Sequence, residues 1–478
     1  MSRTRLLHLV MFPALLALAL PARAAATKGY VLTTDYTSGT LSVVDLATRM
    51  VTCDVADVSP DPVARWYEGL LYVVNRYGYD NIQVIDPAQG CATARQFSVG
   101  NDTNPQDIAF ASPSKAYVSR LGSPDLLIVN PSTGATLGTI ALAAWADADG
   151  NPEAAHLAVV GDLLFVALER LSNFVPADTG LVVVVDMLAD TVYDADPLTA
   201  GKQVVRLSGM NPSTSFAAVP GDGTSPEVHL YIGCTGRWGV LDGGIEDIVV
   251  PMQDGAEPGV IRSAGFAITE VALGGDVVDV VGYGPEHSYA IVADLSSNTS
   301  LVSWDPPTGT KLSTLYAPAG FSLADAALDD RRELYVCNSS FAAPGLHVFR
   351  AGSDAPLAGP LSVCLPPVQI VFDQDSDLAA VGEQPPADRL ALAAPAPNPA
   401  RSTAWLVLEL PAPCMVRVEV FDLAGRRVRS LADGAFAAGA TSLDWDLADG
   451  SGRRVAAGVY LMRAVAAGTT VTRRLVVL

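Results

Sequence analysis

The sequence predicts an all-β chain in two parts, a seven-bladed β-propeller followed by a small Ig-like β-sandwich. Three observations predict it. Seven short apolar segments recur, most of them ending in Asp or Asn. Each is preceded by a partner strand of similar length. The last eighty or so residues then change character, to alternating strands separated by Gly- and Asp-containing turns.

From the start, "MSRTRLLHLVMFPALLALALPARA" has a positive n-region at Arg3 and Arg5, an apolar stretch from Leu6 to Leu20, and small residues at Ala22 and Ala24. It reads as a signal peptide over residues 1–24, and the apolar run is too short for a membrane anchor. The formal charge is -21, and cleavage would deepen it by removing Arg3, Arg5 and Arg23. Such a field disfavours nucleic acid and anionic lipid as partners. Half the residues are hydrophobic and only 17% are charged, so the chain can bury large cores.

The recurring segments are "LSVVD", "IQVID", "LLIVN", "VVVVD", "WGVLD", "LVSWD" and "LHVFR", ending at Asp45, Asp86, Asn130, Asp186, Asp242, Asp305 and Arg350. Turn-rich stretches such as "PAQG", "PSTG" and "PPTG" follow most of them. Their partners are "GYVLTTD", "LYVVN", "AYVSR", "LFVALER", "LYIGC", "SYAIV" and "LYVCN", and a further apolar piece such as "PQDIAF" or "AAHLAVV" precedes most of those. Three or four short strands per unit, recurring roughly every 40 to 60 residues, are a propeller signature, because a lone hairpin must pack against neighbours to bury its apolar side. The first unit lacks an inner strand, and "PPVQIVFD" (366–373) is an inner strand with nothing of its own after it. Pairing the two closes a ring over residues 27–375 and removes its exposed edges.

The pattern "PQDIAFASPSKAYVSRLGSPDLLIVNPSTGATLGTI" resembles the YVTN-type repeat of bacterial surface-layer and secreted propellers. That resemblance implies fold more than activity, since such propellers serve binding, scaffolding and some catalysis. Residues 376–395, rich in Ala, Pro and acid, read as a linker, and 396–478 as the sandwich. Gly425 and Gly458 are expected where a turn needs a positive backbone angle or close packing. This tail resembles the C-terminal sorting domains of type IX secretion cargo and the related hook-cap-type Ig-like domain. The resemblance rests on Pro397-Asn398-Pro399, Phe421-Asp422, Gly425-Arg426, Trp445-Asp446, Gly452-Arg453 and Gly458-Val459-Tyr460. It implies partnership with outer-membrane secretion machinery and a location outside the cell or on its outer surface.

Cys53, Cys91, Cys234, Cys337, Cys364 and Cys414 match no zinc spacing. Cys53 with Cys91 and Cys337 with Cys364 are the expected local disulfides, and Cys234 and Cys414 read as core thiols. Zinc-protease, phosphate-loop and nucleophile-elbow motifs are missing from the sequence. His156, in an inner strand, reads as a channel histidine that is either hydrogen-bonded core or a ligand or base.

The turn joining the second and third strands of a blade lies on the face that carries the inter-blade connections. In four successive units it carries an arginine: Arg76, Arg120, Arg170 and Arg237. Tyr77, Tyr79, Phe174 and Trp238 accompany them, with Tyr36 and Phe341 on the equivalent turns of units one and seven. Two readings stand side by side. Each arginine caps carbonyls or pairs with nearby acids such as Asp80, Asp125 or Glu169, or the set holds a small anionic or aromatic ligand. Asp147, Asp149 and Glu153 in "WADADGNPEAAH" read either as a solvated acidic turn or as a calcium site that would shape the rim. A binding or scaffold protein is thus the leading expectation. A lyase- or lactonase-like enzyme at the channel mouth and a structural surface component contacting a surface protein are the competing classes.

Overall fold

The computed structural model describes residues 26–221, 227–252, 259–374, 391–392 and, with short breaks, 400–477. The signal peptide, most of the linker, Pro397-Asn398-Pro399, Gly425 and Gly452 lie outside the described residues. Among the described residues no helix is long and apolar enough to cross a membrane.

Seven antiparallel sheets follow one another along the chain. Blade 2 is typical, running outward through Pro62–Tyr67, Leu70–Asn75, Asn81–Asp86 and Ala92–Ser98. Its middle strands are almost wholly buried because neighbouring blades cover both faces, whereas its outermost strand alternates toward solvent. The same gradient explains the unbroken apolar run within Thr179–Asp186 of blade 4. The Asp or Asn that ends a third strand makes an Asx turn: Asp45 accepts from the Thr48 amide, Asp86 from Ala88 and Asn130 from Ser132.

Each blade interface holds its own hydrophobic cluster. Val31 and Val44 of blade 1 pack with Tyr335, Cys337 and Leu346 of blade 7, which completes the circuit. Blade 1 takes its innermost strand, Pro367–Phe372, from the far end of the propeller, paired antiparallel with Lys28–Thr34. Asp373 stitches the same point, its carboxylate accepting from the Thr27 and Lys28 amides and the Thr27 hydroxyl.

Around the central channel, polar side chains of one inner strand accept backbone amides of the next. Gln369 accepts from Ala64, Asp107 from Leu157, Asp279 from Ala326 and Asp325 from Ile370. Arg65 adds a 2.8 Å ion pair to the fully buried Asp107. Burial raises the Asp279 and Asp325 carboxyls above the ordinary carboxylate range.

Three expectations need correction. "WGVLD" is not a strand: Gly236, Gly239 and Leu241 all have positive φ, and the third strand of blade 5 is Gly244–Pro251. The disulfide joins Cys53 to Cys364, while Cys91 and Cys337 are free and buried, so neither local pair forms. Gly458 begins a strand with nothing crowding it and no positive φ.

In the C-terminal part, Ala391–Leu392, within the span read as linker, joins Ala404–Leu410 and Gly439–Trp445 in one sheet. Arg427–Phe436, Cys414–Asp422, Gly458–Ala466 and Thr469–Val477 form the other. Trp445, Leu408, Val418, Met462 and Leu475 fill the space between them. The Trp445 indole donates to Ala448 O at 2.8 Å and the Tyr460 hydroxyl to Ala456 O at 2.8 Å, so both aromatics place their polar ends.

Candidate functional site

Three of the four rim arginines turn away from open space. Arg120 is buried, and its guanidinium donates to Val99 O at 3.0 Å and Asp125 O at 3.2 Å. Arg170, also buried, donates to Thr179 O and pairs with Asp178 at 2.9 Å. Arg76 pairs with Asp61 and donates to Gln106 Oε1 at 3.2 Å. Arg237 is exposed and pairs with Asp242 at 2.9 Å. Each arginine is engaged locally, though Asp61, Asp178 and Asp242 are the acids rather than those the sequence suggested.

What gathers instead is a cavity of about 530 Å3 between blades 2, 3 and 4. Of the expected residues it brings together Tyr77, Phe174, Asp149 and Glu153. Tyr79, Arg237, Trp238 and His156 do not line it. Its floor comes from the connection between blades 2 and 3, which sequence reasoning passed over. Asp80, buried at φ 48°, accepts from the Asp102 and Asn104 amides at 2.8 Å each and holds that loop in place. The Asn104 side chain in turn accepts from the Tyr77 amide.

The opposite wall is a two-stranded ear of blade 4, Leu171–Ser172 paired with Val175–Pro176. Its two central residues, Asn173 and Phe174, have φ of 52° and 62°, the handedness of a type I′ turn. Asn at such a position is common; a bulky aromatic is not. Phe174 is nevertheless 80% exposed, and Tyr77 across the cavity is 76% exposed. Asp102, Asn104 and Glu153 also carry positive φ, so strained backbone is concentrated around this one opening.

The acidic loop forms the third side. Asp147 accepts from the Asp149 amide, Asp149 from the Asn151 amide, and the Asn151 side chain donates to Leu121 O. Glu153 is buried and accepts from the Leu171 amide at 2.9 Å. Burial, with the charges of Asp149 and Asp147 beside it, pushes its carboxyl up to about 7. Among the described residues no three His, Cys, Asp or Glu side chains are grouped to hold a metal ion.

Elsewhere on the rim, Tyr36 pairs with Phe341 at 6.3 Å between ring centroids and Trp238 with Phe321 at 5.6 Å. His156 places Nε2 2.9 Å from Ser213 O in blade 5's approach, and burial lowers its pKa to about 4. The ring is neutral at physiological pH and tied to a carbonyl. A second cavity, the central channel of about 370 Å3, is lined by the inner strands and includes Arg65, Asp279, Asp325 and Gln369.

Residues 401–470 match the family model of the FlgD Ig-like domain. No curated protein matches the chain. Similar solved structures include AztD from Citrobacter koseri, with 14% identity, 74% of this chain and 99% of that one covered, and a TM-score of 0.41. The hydrazine synthase of Kuenenia stuttgartiensis shows 12% identity, coverage of 70% and 99%, and a TM-score of 0.46. The Cps50 (Swd1) β-propeller domain of Myceliophteria thermophila shows 11% identity, coverage of 67% and 96%, and a TM-score of 0.44.

Proposed function

We propose that this chain is a binding protein. Its propeller presents the cavity between blades 2 and 4 to a small ligand, and its Ig-like domain serves export and retention at the cell surface. One observation carries the binding half. Tyr77 and Phe174 line a cavity of about 530 Å3 and are largely in solvent, and Phe174 sits at φ 62° with little burial in return. Strain with no gain in packing is what a preformed contact for another molecule leaves behind.

The surface half is supported by the resemblance of the blades to YVTN-type propellers and of the tail to type IX cargo. The Cys53–Cys364 disulfide fits an oxidising compartment. His156 gives the enzyme reading little support, since it lines neither cavity and its Nε2 is hydrogen-bonded to the Ser213 carbonyl.

The test is calorimetry of the mature protein against a panel of anionic, cationic and neutral metabolites. A binder is expected, weakened at least tenfold by the Tyr77→Ala/Phe174→Ala pair. Silence across the panel overturns the binding reading. For export, deletion from Ala396 onward is expected to leave a folded propeller that no longer reaches the surface; undiminished display overturns the sorting role.

A further inference from the structure

We infer that the ligand of the rim cavity is a small organic cation with an apolar face, an amine or quaternary ammonium. The inference rests on the proposed reading that this cavity is the binding site, and it departs from the anion that the arginine series suggests.

Charge comes first. Asp80, Asp102, Asp149 and Glu153 line the cavity, and none of the described residues lining it is Lys or Arg. The three nearby arginines do not line the cavity, and their terminal nitrogens are engaged by the Val99, Asp125 and Thr179 carbonyls, by Gln106, and by Asp61 and Asp178. An anion would enter a negatively charged opening with every fork turned away. A cation enters a field of its own complement, within a chain of formal charge -21.

Shape and surface come second. Tyr77 lines the cavity from blade 2 and Phe174 from the ear of blade 4, at the same opening as the carboxylates. An aromatic face attracts a cation through the ring quadrupole, and the attraction grows where water is partly excluded. Two exposed rings and several carboxylates around one opening are the elements of an aromatic cage. Phe174 at φ 62° completes the argument: glycine would suit that turn position better, and the ring points outward where only a visitor can meet it.

The carboxylates divide their work. Asp80 and Glu153 are buried and committed to backbone amides, so they build the walls. Asp102 is exposed, and its carboxylate accepts no hydrogen bond from the described residues, which leaves it for the ligand's charge.

The experiment titrates the whole mature protein with choline and with its neutral isostere, 3,3-dimethylbutan-1-ol, at low and physiological salt. Choline is expected to bind at least tenfold more tightly than the alcohol, and to weaken as salt rises. Phe174→Gly, Tyr77→Ala and Asp102→Asn each touch an exposed side chain, and each is expected to cost about tenfold or more in choline affinity while leaving thermal unfolding in place. Equal binding of alcohol and choline overturns the cation inference. So does binding of only anionic or neutral members of the metabolite panel at the same residues, though the cavity would then remain the binding site. Choline binding indifferent to all three substitutions overturns both readings, since the cation would be held elsewhere.

Discussion

Removing the Cys53–Cys364 disulfide is the sharpest test of how the ring is held. The two cysteines are 311 residues apart in sequence and bridge the outermost strand of blade 1, Val51–Val58, to the segment leading into its innermost strand. In the chain-entropy picture a cross-link closing a loop of that size removes about 5–6 kcal/mol of unfolded-state freedom at 25 °C. Measured disulfides deliver less, so about 3–5 kcal/mol is the working expectation. A propeller of about 350 residues unfolds with an entropy near 0.7 kcal/mol/K, which converts that loss into a Tm lowered by roughly 4–7 °C. The Cys364 side is exposed and Cys53 half-buried, so a reductant can reach the bond. Calorimetry should place the reduced protein and the Cys53→Ser/Cys364→Ser variant at the same lowered Tm. An unchanged transition refutes the reasoning, as does alkylation of either cysteine in the unreduced protein.

Further outcomes follow from single side chains. Phe174→Gly relieves a left-handed conformation that costs about 1–2 kcal/mol, against about 0.5–1 kcal/mol of extra chain entropy for glycine. Urea denaturation should therefore show a variant at least as stable as the parent, and a clear loss would mean the ring packs on the protein. Asp107→Ala strands Arg65 and the Leu157 amide, and is expected to cost about 3–5 kcal/mol. A cost below 1 kcal/mol would remove the inner-strand latches from the account. Glu270 is fully buried, and burial pushes its carboxyl up to about 7 despite accepting from the Gly243 and Val277 amides. Its folded pKa lies above its unfolded value near 4.3, so the native state holds a proton that the unfolded chain releases. That contribution is present below about pH 4 and is lost as pH rises toward 7. Glu153 has the same sign. Between pH 5 and 8 the parent should lose more Tm than a Glu270→Gln variant, and an equal or smaller loss in the parent would contradict it.

The propeller was legible because its signals are local and repeated. Each Asx-capped third strand and its partner could be read in one unit and checked in the next. Blade 5 escaped because its third strand, Gly244–Pro251, carries the acids Glu246 and Asp247 inside it, where the recurring segments of the other units carry an acid only at their end. Glu246 is buried there and accepts from the Ser208 and Gly209 amides, joining blades 4 and 5. The arginines were found on the right turns, but a fork's direction depends on carbonyls that only folding delivers. In the sequence Asp80 reads only as a partner for the arginines, and Asp102 and Asn104 draw no reading; all three have positive φ where they form the cavity floor. Cysteine pairing by nearness in sequence failed for a physical reason: ring closure makes the two ends of the propeller neighbours.

That same closure decides how the molecule would bear a pull. Tension entering at Asp373 from the tail meets the Pro367–Phe372 strand, whose hydrogen bonds to Lys28–Thr34 lie across the direction of pull and share it as shear. Should those bonds slip, the strand is still leashed at Cys364 to the outer edge of the same blade by a covalent bond. The route begins and ends in blade 1. A propeller moored by its tail in flowing fluid would take the drag through one reinforced seam, with the aromatic opening of blades 2 to 4 off the line of force.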